Sequence, residues 1–457
     1  MCRQSIRVRV VIALALIMGA SPPIQALDLR SKIDPLAQPL IDDGQAVGFV
    51  VGIYQKGKTQ VIGYGETEKG SGDKPTARTV YEIGSATKAI TGVLLADMVR
   101  RGEVKLDDPL QKYLPEDMEL KLFEDKPITL EHVATHTSGL PRLAGNMKPA
   151  DPTNPYADYT PELMHQFLGE HKIDRAPGKY EYSNLAMGML GFELARLKGQ
   201  TYDELLSERV TKPLGLKDTS IKLSPSQRKR LAKPYNAGLD LDKNWDLPTL
   251  AGAGGVRSTA VDMLVFLKAN LAEDERPLTQ SMKLSHEKRH TTDDGLAIGL
   301  GWHIARDGVT RWHNGMTGGY ASWMSIVPEY DAAVIVLANT ATQKITELGE
   351  QLTRVACGME VKPPKKRETV DVALDTLKSY EGTYAITPQF ALTVTVEDDK
   401  LMVQATGQSK LEVYAESPTE FFYTVVDAQL TFEPGKDGKA KRVTLHQNGQ
   451  NMKAERQ

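Results

Sequence analysis

Two apolar, β-branched runs stand near the start of the chain, Val47 to Tyr54 and Gln60 to Tyr64, with polar Gln55-Lys56-Gly57-Lys58 between them. That pattern predicts a β-hairpin. From about residue 80 to 270 the pattern is mostly helical, broken at Pro115, Pro141, Pro177-Gly178 and Pro213. Strand patterns return at Tyr320 to Val327 and Ala332 to Leu337, with a turn over Pro328 to Asp331. Strands at both ends with helices between predict an α+β architecture. Its antiparallel sheet is closed by N- and C-terminal strands and carries an all-helical subdomain.

The pattern changes after a basic, proline-containing stretch, Lys362 to Arg367, which reads as a stiff solvated linker over 361–372. Beyond it, short strands are expected at Phe390–Val396, Lys400–Ala405, Lys410–Tyr414, Glu420–Val425, Gln429–Glu433 and Arg442–His446. Asp398-Asp399, Gly407-Gln408 and Lys436-Asp437-Gly438 supply turns. Residues 373–457 therefore read as a small all-β barrel or sandwich, after a main domain over 27–360.

Residues 1–26 have the form of a signal peptide: Arg3, Arg7 and Arg9, then apolar Val10 to Met18, then Ala26 before Leu27. The apolar run is shorter than the roughly 20 residues of a membrane span. An exported protein, periplasmic or secreted and without a transmembrane segment, is expected. The formal charge is −3, and −6 once the three arginines leave with the leader. No long basic run interleaves with aromatics, so no nucleic-acid partner is expected. Of two cysteines, Cys2 leaves with the leader, and Cys357 is left without an intramolecular partner. Cys357 falls in the amphipathic stretch Ile345 to Gly358 and is expected to be a small core residue.

Ser-x-x-Lys occurs at Ser71/Lys74, Ser85/Lys88, Ser226/Lys229 and Ser285/Lys288. Residues three apart share a helix face, so an amine there can alter the proton chemistry of the hydroxyl. Ser71 and Ser226 lie in polar surroundings, and Ser285 precedes the charged run His286 to His290. Ser85 opens the apolar stretch Ala89 to Val99, where a helix N-terminus favours developing negative charge. Two further signals stand out. Tyr182-Ser183-Asn184 is the one Tyr-x-Asn among 16 tyrosines, and His313-Asn314-Gly315 precedes Gly318-Gly319 and the strand Tyr320 to Val327.

The order Ser85-x-x-Lys88, Tyr182-x-Asn184, His313-x-Gly315 resembles the penicillin-recognising serine hydrolases, specifically the class C β-lactamase-like family. Ile128-Thr129-Leu130, Ala134 to Pro141, Lys212 to Leu216 and Gly299-Leu300-Gly301-Trp302 extend the likeness over roughly residues 35–355. The late β-region resembles the lipocalin-like barrel appended to some members. The resemblance implies a β-lactamase/transpeptidase-like fold, no cofactor and no metal. It implies an acyl-enzyme on Ser85, with Lys88 and Tyr182 sharing the proton work, and an oxyanion hole from the backbone N–H groups of Ser85 and Met316. Asn184, with both donor and acceptor, would hold Lys88 and a substrate amide together. His313, Gly315 and Met316 would form the opposite wall.

His313 is the departure, since β-lactamases of this class usually have lysine there. An ordinary imidazole is mostly neutral at pH 7, and D-amino-acid peptidases of the family carry histidine at this place. The substrate expected is a small molecule or short peptide: a β-lactam, a D-amino-acid peptide such as a cell-wall peptide, or a small ester. The alternatives are an esterase of the same fold and a catalytically weak binding or sensor module. His136 is expected to be structural. His171, His303 and His446 have no supporting pattern, and Trp302, Trp312, Tyr320 and Trp323 fit either core or cleft.

Overall fold

The computed structural model describes residues 29–363, 369–387, 390–408, 410–423, 428–435, 438–447 and 450–457. The leader over 1–26, linker residues 364–368, the turn residues Lys436 and Asp437, and the end of the expected strand at 424–425 lie outside them. The chain divides into two compact units, 1–363 and 364–457.

Among the described residues the first unit holds ten strands: β1 (Gly48–Gln55), β2 (Lys58–Gly65), β3 (Val80–Glu82), β4 (Arg257–Thr259), β5 (His290–Thr291), β6 (Ala297–Ile298), β7 (His303–Ile304), β8 (Arg311–Met316), β9 (Ala321–Val327) and β10 (Ala332–Ala338). Eight form one antiparallel sheet in the order β2-β1-β10-β9-β8-β7-β6-β5, and β3 pairs with β4 separately. The N-terminal hairpin thus lies against the last strand of the unit, as the sequence pattern predicts. Its turn is Lys56-Gly57, both at positive φ (46° and 81°), the twist that suits a two-residue hairpin.

The helices used below are α1 (Arg30–Asp42), α2 (Thr87–Arg100), α3 (Asn184–Leu197), α4 (Ala260–Leu271) and α5 (Lys344–Ala356). One sheet face, with Phe49, Val51, Ile53, Val334 and Val336, buries Ile33 and Leu36 of α1 and Leu348 and Leu352 of α5. The other face, with Val50, Ile335 and Leu337, joins Met263, Leu264 and Phe266 of α4 and the helical region. Two covered faces explain why β10 reads as an unbroken apolar run and not as an alternation.

Between residues 80 and 270 the helices are shorter than the pattern suggested, with long irregular stretches between them. Pro213 stands inside a helical turn, and the break falls at Gly215, in the left-handed region at φ +69°. Cys357 is not core: it caps α5 half-buried, and burial pushes its thiol up to about 11.

The second unit is a closed eight-stranded barrel in simple sequential order. Six strands correspond to those expected. The other two, Gly382–Thr387 and Gln450–Arg456, pair with each other through Tyr384–Arg456 and Ala385–Glu455 and close the barrel. Its interior is filled by Tyr380, Tyr384, Phe421, Leu430, Phe432 and Val443. An eight-stranded barrel is just wide enough for such a filling. Stacking of Tyr380 on Phe432, centroids 4.3 Å apart, centres it.

Candidate active site

From Thr79 to Met98 every residue is buried except Ser85, which is partly exposed. The serine sits on a helical turn, Gly84–Ala86, leading into α2, whose residues Thr87 to Met98 are all buried. A helix that is apolar all round belongs inside a protein, so α2 is a central pillar with the serine at its open end.

Glycines create that opening. Gly84 has φ +52°, and a Cβ there would lie 2.7 Å from the Met316 amide nitrogen. Conversely, a Cβ on Gly315 would collide with the Ile83 carbonyl and lie 2.9 Å from the Ser85 nitrogen. Strand β8 and the serine turn therefore press together backbone to backbone, bringing Ser85 and Met316 main chain side by side. Gly301, at φ +69°, allows the same closeness to the Lys88 carbonyl, which accounts for the Gly299 to Trp302 stretch.

Lys88 is fully buried, with its Nζ donating to Ser85 Oγ at 2.9 Å and to the Ala253 carbonyl at 2.6 Å. It also lies 4.8 Å from the centroid of the Tyr182 ring. Burial, with the Arg142 charge adding to it, drives the amine well below the ordinary lysine range. Burial raises the Tyr182 phenol above its ordinary range, and hydrogen bonding to Ser85 draws it partway back. Burial thus favours the neutral form of both groups, the free amine of Lys88 and the protonated phenol of Tyr182.

Tyr182 is held from several sides. His136, at φ +59°, packs on its ring at 4.5 Å and accepts the Ser183 amide at Nδ1, as expected of a structural histidine. Ser183 caps α3, accepting from the Ala186 amide and donating to the Pro141 carbonyl. Asn184, the first residue of α3, does not hold Lys88; the Ala253 carbonyl does. Asn184 Nδ2 donates to the Tyr156 hydroxyl at 3.3 Å, while its buried Oδ1 has no protein partner. Ala253 was not legible as a site residue, although the run Gly252-Ala253-Gly254-Gly255 marks tight packing: a Cβ on Gly252 would lie 2.9 Å from the Met187 carbonyl.

His313 precedes β9 as expected, but lies on a strand of its own, β8, and is almost fully buried. Its Nδ1 is 2.5 Å from the Asn314 carbonyl. A carbonyl only accepts, so Nδ1 carries the proton and Nε2 is bare, without a partner. Burial, then the neighbouring His303 and the Lys88 charge, hold the imidazole well below its ordinary range. His303, which no sequence pattern supported, stacks on His313 with centroids 4.8 Å apart. Its own value is pushed down to about 4 by burial and by Lys88. Trp302, Tyr320 and Trp323 are core residues, and Trp312 is partly buried. The other three Ser-x-x-Lys pairs have no such setting. Ser71 and Ser226 are exposed, and Ser285 is buried with its hydroxyl donating to the Met282 carbonyl.

A serine hydroxyl beside a buried amine, faced by a protonated phenol, is the arrangement of a serine hydrolase. The family model described as Beta-lactamase matches residues 33–356, and the chain belongs to that family. A model of a domain of unknown function, DUF3471, matches residues 366–456. The D-alanyl-D-alanine-carboxypeptidase/endopeptidase AmpH of Escherichia coli strain K12 is 31% identical over 343 residues, covering 70% of this chain and 86% of AmpH. A β-lactamase of Pseudomonas fluorescens is 28% identical, covering 69% of this chain and 94% of its own. Among solved structures, a β-lactamase/D-alanine carboxypeptidase from Yersinia pestis, complexed with citrate, has a TM-score of 0.64 at 27% identity. It covers 72% of this chain and 98% of that one. A class C β-lactamase at 20% identity has the same TM-score of 0.64, covers 73% and 97%, and shares the fold.

Proposed function

We propose that this chain is an exported hydrolase of β-lactam amide bonds or D-amino-acid peptides, working through an acyl-enzyme on Ser85. The observation that carries it is the buried Lys88 amine at 2.9 Å from the one partly exposed residue of its segment, with burial favouring its neutral form. With the amine neutral the 2.9 Å contact can reverse: the Ser85 hydroxyl then donates to the Lys88 Nζ lone pair and loses its proton there as Oγ attacks the carbonyl. The Ser85 and Met316 amides would hold the resulting oxyanion. Losing one such donor typically costs about 3–4 kcal/mol. Tyr182, still protonated, would pass its proton to the departing nitrogen and recover one from Lys88. Water then hydrolyses the ester, and the proton returns to Ser85 Oγ.

Asn184 Oδ1, buried and unpartnered, supports a substrate N–H at that wall. AmpH, whose name gives it a D-alanyl-D-alanine substrate, makes D-peptides, including cell-wall peptide, the leading substrate class. Export rests on the leader pattern of residues 1–26; among the described residues no helix is long and apolar enough to cross a membrane. The neutral His313 favours a second reading, an esterase on small neutral esters. The domain division proposed is a leader over 1–26, a hydrolase domain over 27–360, a linker over 361–372 and a barrel over 373–457.

A panel of nitrocefin, a D-Ala-D-Ala peptide, D-amino-acid amides and p-nitrophenyl esters, compared by kcat/KM, tests the assignment. The highest value is expected for the β-lactam or the D-peptide. Turnover of esters alone would replace this reading with the esterase.

A further inference from the structure

A neutral, buried His313 leaves the β8 wall without the cation that would take a substrate carboxylate. The Tyr182 ring nevertheless has a fixed cation beside it: the Arg142 guanidinium lies 5.3 Å from its centroid. Unlike Lys88, Arg142 is exposed. It is also anchored, because its carbonyl accepts both the Asn184 and Leu185 amides, at 3.0 and 3.2 Å. The loop bearing Arg142 is thereby stapled to the start of α3, next to Tyr182 and Asn184.

Three other cations are held by carboxylates. Arg175 pairs with Glu181, Lys243 with Asp151, and Arg257 with Glu82 and Asp246. Among the described residues Arg142 makes no ion pair with a carboxylate. An exposed, positioned guanidinium beside a catalytic phenol, without a protein anion, is suited to a planar carboxylate approached by two N–H groups.

We propose that Arg142 is the specificity-determining residue that binds a free carboxylate of the substrate, so that carboxylate-bearing β-lactams and D-peptides are preferred over their neutral counterparts. The inference rests on the acyl-enzyme reading of Ser85. It replaces a cation on β8 with one on the opposite, α3 side of the cleft.

The test compares two matched pairs on the full chain: benzylpenicillin with its methyl ester, by rate of Ser85 acylation, and acetyl-D-alanyl-D-alanine with its C-terminal amide, by kcat/KM. Wild type is expected to prefer the carboxylate member by about tenfold, the scale of one charge-assisted contact, with the difference carried in KM. Arg142→Gln should bring the ratio to about one, and Arg142→Lys should retain part of it. In wild type the preference should shrink as salt rises from about 0.02 to 0.5 M, since the contact is exposed. That salt series tests the proposal even where Arg142→Gln fails to fold. A ratio unchanged in folded Arg142→Gln, or a wild-type preference indifferent to salt, overturns the role of Arg142. No acylation and no turnover with either pair overturns the acyl-enzyme reading instead.

Discussion

The interior behind Ser85 and the interior of the C-terminal barrel are built on opposite terms. The barrel is filled by Tyr384, Phe421, Leu430, Phe432 and Val443. Among the described residues it contains no buried side-chain polar atom without a partner. The hydrolase unit has such atoms, some beside the Tyr182 wall of its site, as Asn184 Oδ1, both nitrogens of His303 and His313 Nε2, and others well apart, as on Glu103 and Gln200. Each unpaired buried group typically costs about 1–3 kcal/mol. A fold tolerates that where the groups serve substrate or protons, as those on the Tyr182 wall of the site are placed to do.

The largest expected effect strikes the first interior. Lys88→Met keeps the volume but removes the base, and acylation of Ser85 by nitrocefin should slow by about 10²–10⁴-fold in stopped-flow. In wild type the same rate should fall as pH drops through the lowered Lys88 value, because the amine is then protonated. A variant within a factor of two of wild type would break the comparison at its strongest point.

Next comes the barrel. Phe432→Ala should destabilise it by about 3–5 kcal/mol, read as loss of its transition in calorimetry. Acylation of Ser85 should persist, and its loss would show that the two interiors are not separate in function.

Acid divides them again. Burial holds His303 at about 4 and His286 at about 3, and keeps His136 and His313 well below 6.5. These imidazoles take protons only on unfolding. Their contribution is therefore complete above pH 6.5 and lost as pH falls toward the folded values. By pH 4 His303 alone should withdraw about 3 kcal/mol. All four tryptophans, at 245, 302, 312 and 323, lie in the first unit, so their fluorescence reports that unit selectively. Urea titrations followed by it should show falling midpoints from pH 7 to 4; a flat series would contradict the buried neutral histidines.

The smallest effect sharpens the point: His303→Leu removes two unpartnered nitrogens, and the fluorescence-monitored melt should be unchanged or higher by about 1 kcal/mol. A loss of more than that would mean those nitrogens are satisfied in solution.

Much of this was readable along the chain where local pattern decides the outcome. The β1–β2 hairpin, the β9–β10 pair and the choice of Ser85 among four serines each follow from a few consecutive residues. What escaped depends on residues far apart. Ala253 meets Lys88 across 165 positions, so the expected bond from Asn184 could not be judged against it. His303 stands on a two-residue strand and acquires meaning only through pairing with Trp312 and stacking on His313. In Gln450–Arg456 just one residue, Ala454, is buried, and nothing in so polar a segment shows that it closes a barrel.

The central claim is that Ser85 is the residue acylated. Treating the protein with a fluorescent penicillin and, separately, a fluorophosphonate, then mapping the adduct by mass spectrometry, tests it directly. The account predicts a single adduct on the tryptic peptide running from Thr79 to Lys88, absent from Ser85→Ala. No adduct on wild type, or equal labelling of Ser85→Ala, would contradict it.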